Sequence, residues 1–385
     1  MTWRTLPAWV YEDPEFFALE RDTVFLTTWQ LAGHVSDMPR PGDWLGFSLF
    51  GRTAFAIRGK DGEIRAFHNV CRHRAMRMLD GQAGHCDRAI RCPYHGFSYD
   101  LDGRLAGVPF EQDFPDLDRA TMGLRPIETE IFLGFVFIRF GGAGPSVAEQ
   151  LAPFRQELDA YRVAEMRPIG PFVETPINAD WKVAVDNNLE AYHVPAAHPG
   201  LQRLYGASYR FEVQALGVSQ SHGRLRDKAS PNWSERAYLN LLPEVAHLSA
   251  ARQREWHYYS MFPSLAFDVY PDLIDFFQIV PTSPGKCISR LQSYALPDDR
   301  RAMRAARYLN MRINAQVGRE DVGLVEGVQA GLTSGAYESG PLSRREGRVR
   351  QFHDMIRDAI PVATLGQRPP PGRLAAVNAE MLQGR

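Results

Sequence analysis

The chain has 385 residues, with 44 Lys and Arg against 45 Asp and Glu, and only four cysteines. Single hydrophobic cores stop growing near roughly 250 to 300 residues, so two domains are expected. The balanced charge, with no basic run, excludes a nucleic-acid partner, and four cysteines are too few for a disulfide scaffold.

Residues 1–17 carry Arg4, Glu12, Asp13 and Glu15 where a secretory signal needs an unbroken apolar core. The longest apolar stretch near the middle, 131–138, is too short to cross a bilayer, so a cytoplasmic protein without membrane spans is expected. Apolar groups at helical spacing (Phe16, Leu19, Val24, Leu31) predict a helix over 14–32, which ends before the turn Pro39-Arg40-Pro41-Gly42. Residues 1–42 thus read as a helical arm packing on the larger domain. From 43 to 144 the pattern is short β-rich runs, such as 53–57 and 132–140, punctuated by Gly59, Asp61-Gly62 and Asp102-Gly103, which predicts a small antiparallel β domain.

Gly141-Gly142-Ala143-Gly144-Pro145-Ser146 reads as a linker, and residues 145–385 as an α+β domain. Helices are expected over 147–162 and 181–192, and aromatic-rich strands over 256–280. Met303, Ala306, Leu309, Ile313, Val317, Leu324 and Val328 repeat at helical spacing, which puts Asp321 on or beside a long helix over 300–330. After Pro361 the chain turns Pro/Gly-rich and reads as a loosely packed tail.

Two groups of metal-binding residue types stand out. Cys71-Arg72-His73 and Cys92-Pro93-Tyr94-His95 each supply one thiolate and one imidazole, the inventory of a [2Fe–2S] centre with two Cys on one iron and two His on the other. Such ligation makes the cluster less negative and raises its potential. The rival is a Cys2His2 zinc site, but zinc knuckles usually pair Cys with Cys. Cys86 and Cys287 read as ordinary thiols, and His68 and His85 as surface histidines.

The second group is Glu190-Ala191-Tyr192-His193-Val194-Pro195-Ala196-Ala197-His198, with Glu320-Asp321 downstream. Two His and one carboxylate on one face suit non-haem iron that activates O2. On an unbroken helix His193 and His198 would point roughly 140° apart; Pro195 can break the helix and swing His198 back. Asp321 is preferred over Glu320 as third ligand, with Asp186 and Asp268 as outside candidates. Glu190, three residues before His193, would share its helix face.

The segments Asn69-Val70-Cys71-Arg72-His73-Arg74, Cys92-Pro93-Tyr94-His95-Gly96, Asp180-Trp181-Lys182 and Asp186 to Gly200 resemble the α-subunits of Rieske non-haem iron oxygenases. That resemblance, over essentially the whole chain, implies a Rieske domain plus a helix-grip catalytic domain, in a homotrimer fed by a separate NAD(P)H-dependent reductase or ferredoxin. It implies that Cys71, His73, Cys92 and His95 hold the [2Fe–2S] cluster, and that His193, His198 and Asp321 hold a mononuclear Fe(II). Glu190 matches the carboxylate that bridges a cluster histidine, His95, and His193 of the neighbouring subunit. Glu rather than Asp there resembles the oxygenases of carnitine, choline and betaines, whereas Asn188 departs from the aromatic residue expected. The implied activity is hydroxylation and N-demethylation of a quaternary or tertiary ammonium substrate; ring or side-chain hydroxylation of an aromatic or alicyclic acid is the alternative. Tyr205, Trp256, Tyr258, Phe267 and Phe276, with Tyr270 and Phe277, are candidates for an aromatic substrate cage. Other readings are a Rieske electron carrier, which would need no second domain, and a zinc-binding structural protein.

Overall fold

The computed structural model describes residues 3–213, 216–227 and 230–384, and forms two compact units. Leu26–Ala148 makes the smaller; Met1–Phe25 with Glu149–Arg385 makes the larger.

The small unit is built on a seven-stranded antiparallel sheet in the order Gln30–His34, Phe135–Arg139, Pro126–Phe132, Ile64–His68, Arg52–Arg58, Asp43–Leu49, Ala83–His85. A second, three-stranded sheet of Ile90–Arg91, Ser98–Tyr99 and Leu105–Gly107 carries the Cys92 loop, whereas the Cys71 loop follows the strand Ile64–His68 of the first sheet. The helix expected over 14–32 is shorter: Pro14–Glu20 is α-helical, Arg21–Phe25 is a wider turn, and Gln30–His34 is a strand paired with Phe135–Arg139. All five residues of that strand are buried, so it offers no alternation that would separate it from a helix. The unit therefore begins at Leu26, ahead of residue 43.

The large unit carries a seven-stranded antiparallel sheet in the order Arg167–Ile177, Lys286–Ala295, Ile274–Ser283, Leu265–Val269, Glu255–Met261, Val218–Arg224, Arg210–Val213. Trp233–Leu241 and the long helix Arg301–Thr333 cover one face: Trp256 Nε1 donates to Tyr238 Oη (3.1 Å), and Asn310 Nδ2 donates to Asp272 (3.0 Å). The opposite face meets the 147–165 segment, where Tyr259 packs on Phe154 and donates to Glu157 (2.6 Å). That segment is no continuous helix. It splits into Val147–Gln150, Ala152–Phe154 and Arg155–Asp159, because Pro153 lacks the backbone donor a helix interior needs.

The N-terminal arm is locked to the large unit by a buried charge cluster. Lys182 Nζ lies 2.5 Å from Glu20 and 2.7 Å from Asp180, and none of the three side chains is more than 2% exposed. The C-terminal segment, expected to be loose, is ordered: Pro361–Thr364 and the helix Leu374–Gln383 bury Val362, Ala363 and Leu374, and the Val362 N–H donates to Asn378 Oδ1 (3.1 Å). A few buried apolar groups suffice to anchor it, which composition alone understates.

Candidate metal centres

The two cysteine loops of the small unit share one backbone design. Cys71 N–H donates to Met76 O (2.8 Å) and Cys71 O accepts from Ala75 N–H (3.1 Å); Cys92 N–H donates to Phe97 O (2.8 Å) and Cys92 O accepts from Gly96 N–H (3.1 Å). The fifth residue of each loop is left-handed, Ala75 at φ 57° and Gly96 at φ 76°. Both sulfurs are buried, whereas His73 and His95 are half-buried with ring centroids 4.7 Å apart. His73 stacks flat on Phe97 (4.5 Å). Tyr99 Oη, which accepts from Arg72 N–H (3.0 Å), sits 3.4 Å from Cys71 Sγ. Burial pushes the Cys92 thiol up; the backbone N–H groups of Tyr94 and His95 oppose this, and the Cys71 sulfur beside it adds to it. Burial, His95 and Arg74 hold the His73 imidazole below its ordinary value, hence neutral and able to ligate. Two buried sulfurs beside two half-buried imidazoles fit a mixed Cys/His [2Fe–2S] cluster. Elsewhere in the chain, His85 is held by Asp43 (2.7 Å), His68 is half-buried, and Cys86 and Cys287 are free thiols raised by burial.

In the large unit the helix Trp181–Asn188 stops two residues before Glu190, so Glu190 and His193 do not share a helix face as expected. The chain instead folds around the Glu190 carboxylate, which accepts the backbone N–H groups of Tyr192 and His193 and contacts His193 Nδ1. His193 caps the short helix Val194–Ala197, with Pro195 inside its first turn. The break expected at Pro195 is made by Pro199: His198, the residue before it, sits at φ −119°, ψ 76°, outside the helical region, between two helices. His193 and His198 thereby approach to 5.0 Å between ring centroids, at 79°.

Asp321, on the long helix, completes the group. Its Oδ1 is 2.9 Å from His198 Nε2 and 3.7 Å from His193 Nε2, and the donor atoms of the three residues lie within 4.8 Å of one another. Glu320 turns the other way and takes His198 Nδ1 at 2.7 Å. Each imidazole is thus gripped at Nδ1 by a glutamate, which leaves Nε2 free to ligate. Burial opposes charge on His198, but Asp321 and Glu320 outweigh it and raise its affinity for a proton. A metal cation among the same groups takes the proton's place. The outside candidates stand apart from this group: Asp186 accepts from His353 Nε2 through both oxygens (2.9 and 3.0 Å), and Asp268 lies within the sheet. Sequence reasoning missed the grip of Glu320, for which adjacency to Asp321 was the only signal.

The aromatic candidates divide by strand register. Tyr258, Asp268 and Asp275 are cross-strand neighbours on one face; Tyr259, Phe267 and Phe276 are neighbours on the other. Tyr205, Trp256 and Tyr270 pack with Val194, Leu201 and Ile313 beside the iron-ligand segment, with Tyr209, Tyr258 and Val317 against them. Phe267 and Phe276 therefore point away from this cluster, which removes them from an aromatic cage there. Phe277 instead lines a cavity of about 30 Å³ with Asn188, Ser260, Arg348 and Phe352.

Two buried thiols with two histidines in one unit, and a two-His, one-carboxylate group on a helix-covered sheet in the other, define an electron-transfer domain joined to an iron-dependent oxygenase domain. Residues 28–119 match the Rieske [2Fe-2S] domain and 158–361 the ring hydroxylating alpha subunit (catalytic domain), and the chain belongs to this family of Rieske oxygenases, with a [2Fe–2S] cluster and a mononuclear iron as its cofactors. It is similar to the carnitine monooxygenase oxygenase subunit of Acinetobacter pittii, 30% identical over 90% of this chain and 88% of that protein. The chloroplastic choline monooxygenase of Spinacia oleracea is 28% identical over 92% of this chain and 78% of that one. Among solved structures, the quaternary ammonium Rieske monooxygenase CntA in complex with L-carnitine superimposes with a TM-score of 0.77 at 25% identity, covering 92% of this chain and 95% of that chain. No helix among the described residues is long and apolar enough to cross a membrane.

Proposed function

We propose that this oxygenase hydroxylates an N-methyl carbon of a quaternary or tertiary ammonium compound that bears a carboxylate, the product collapsing to formaldehyde and the demethylated amine. Two electrons from a separate NAD(P)H-dependent reductase or ferredoxin, two protons and O2 balance the insertion of one oxygen atom and the release of water. Cys71, His73, Cys92 and His95 hold the cluster, and His193, His198 and Asp321 hold the mononuclear iron; when bound, these groups store electrons and activate O2. Glu190 and Glu320 fix the tautomers of His193 and His198, each accepting an Nδ1–H so that Nε2 faces Asp321. Val194 and Ile313, packed with Tyr205 and Trp256, keep water from the protein side of the site. In a homotrimer, the half-buried His73 and His95 would meet Glu190 of a neighbouring subunit.

The observation that carries this reading is the convergence of His193, His198 and Asp321 beside a sheet face rich in tyrosine. Relatives at about 30% identity named for carnitine and choline oxidation support the substrate class. The test supplies surrogate reductase, NADH and O2, and measures formaldehyde with a panel of methylated ammonium carboxylates and a panel of benzoate-type acids. Formaldehyde is expected from the first panel alone. Coupled turnover of an aromatic acid, with no response to any methylated ammonium, would transfer the assignment to aromatic or alicyclic hydroxylation.

A further inference from the structure

The helix-covered face of the large sheet carries a carboxylate that the metal site does not use. Asp268 stands in the middle of that face, between Tyr258 on one neighbouring strand and Asp275 on the other. Among the described residues its Oδ1 is fully enclosed yet accepts no hydrogen bond, and Oδ2 has only a long contact, 3.4 Å, with Tyr270 Oη. An unsatisfied buried acceptor is destabilising and calls for an explanation.

The buried cation whose field reaches it does not supply one. Arg348 spends its donors on hydroxyls, Nε on Ser219 Oγ (2.9 Å), Nη1 on Ser221 Oγ (2.7 Å) and Nη2 on Ser260 Oγ, and acts on Asp268 only through its field. Burial drives the Asp268 carboxyl up to about 7; Tyr270 and Arg348 oppose this, and the charge of Asp321 adds to it. Asp275 is more deeply enclosed, and burial pushes its carboxyl to about 8.

Two aromatic rings flank Asp268, Tyr258 as its cross-strand neighbour and Tyr270 through its hydroxyl, and further rings pack on these. Tyr258 and Tyr270 lie 6.4 Å apart, Trp256 and Tyr270 4.7 Å, and Tyr205 and Tyr209 6.3 Å. Asp268, Tyr258 and Tyr209 each keep part of their surface accessible, although burial pushes both phenols up. These three side chains are thus not wholly sealed within the core.

From this we propose that Asp268 is the counter-ion for the substrate's ammonium group, with Tyr205, Tyr209, Tyr258 and Tyr270 presenting ring faces around it. The proposal deepens the functional reading above and rests on it for the substrate class. A methylated ammonium has no N–H to donate, so an acceptor that already lacks a donor loses nothing by facing it, and aromatic faces supply the remaining attraction. A primary ammonium would leave donors unsatisfied in the same space and is disfavoured.

The test has a binding arm and a turnover arm, on the iron-loaded protein and its Asp268→Asn and Asp268→Glu variants, with cluster absorbance and iron content checked for equality. In the first, tetramethylammonium is titrated by calorimetry. The parent is expected to bind it saturably, Asp268→Asn about tenfold or more weaker, as for loss of a desolvated charge partner, and Asp268→Glu in between. In the second, KM is compared for a trimethylammonium carboxylate and its neutral tert-butyl isostere: Asp268→Asn should raise the first and lower the second. Absent parent binding, equal binding by parent and Asp268→Asn, or both KM values moving the same way would each overturn the proposal. Retained tetramethylammonium selectivity without formaldehyde from any methylated ammonium would sink the proposed reaction while leaving Asp268 as the cation site.

Discussion

The two candidate centres solve the same problem, holding metal donors at fixed distances, by opposite means. In the small unit four donors come from two short loops of one repeated design, with matching N–H and C=O bonds about each cysteine and a left-handed residue at the same step. In the large unit the donors come from segments 123 residues apart, and the site exists only when the long helix docks beside the broken turn at His193–His198. A local site depends on turn chemistry, whereas an assembled one depends on tertiary packing and on outer carboxylates that hold each ligand. Mutations remote from the metals should therefore harm the large unit's centre and spare the small unit's.

The largest such effect is expected at Lys182, which is fully buried between Glu20 and Asp180. Removing one member of a buried ion cluster leaves the others uncompensated and costs about 3 to 5 kcal/mol. Lys182→Ala should lower the denaturant midpoint of the large unit's fluorescence transition while the cluster absorbance fades at the parent midpoint. Coincident shifts of both signals would show that the units do not lose structure independently.

Next come the two glutamates that grip the iron-site histidines. Removing a carboxylate behind a ligating histidine typically weakens metal affinity or activity about 10- to 100-fold, and the two should separate by readout. Glu320→Gln, which loosens His198, should appear as weaker iron retention in chelator competition. Glu190→Gln should show chiefly as slower reoxidation of the reduced cluster with substrate and O2 present; reoxidation at the parent rate would remove Glu190 from the electron route. The smallest effect is at Ala75, the left-handed residue of the first cysteine loop, where the second loop has Gly96. Ala75→Gly should relieve backbone strain and raise the thermal midpoint of cluster bleaching, by up to about 1 kcal/mol of local stability. A drop would mean that the Ala75 methyl contributes packing that outweighs the strain.

The same contrast governs how much was legible in the sequence. Cys71, His73, Cys92 and His95 are spaced by single turns, so residue types and intervals alone suggested their grouping. His193 and His198 were readable as a pair, but the break that aims His198 belongs to Pro199 rather than Pro195, because a proline constrains the residue before it. Asp321 could be named from a resemblance and a helical pattern, yet Glu320, adjacent and equally acidic, revealed its grip on His198 only in three dimensions. Register explains the aromatic residues: alternation shows that Tyr258 and Phe267 belong to strands, and only the pairing of Tyr258 with Asp268 shows that they face opposite ways. The strand Gln30–His34 and the ordered C-terminal helix were missed for a related reason, since burial on every side, or by a few apolar groups, leaves no period to read.

The most direct test of two independent centres is a metal and sulfide analysis of the parent, Cys92→Ala and His198→Ala proteins, read beside the EPR spectrum of each after reduction. Cys92→Ala should lose the inorganic sulfide, the red-brown colour and the reduced-cluster signal while keeping the mononuclear iron. His198→Ala should keep the cluster's iron, sulfide and EPR signal, and lose only the remaining iron together with all turnover. Colour surviving in Cys92→Ala, or an iron-replete and active His198→Ala enzyme, would contradict the ligand sets drawn for the two units.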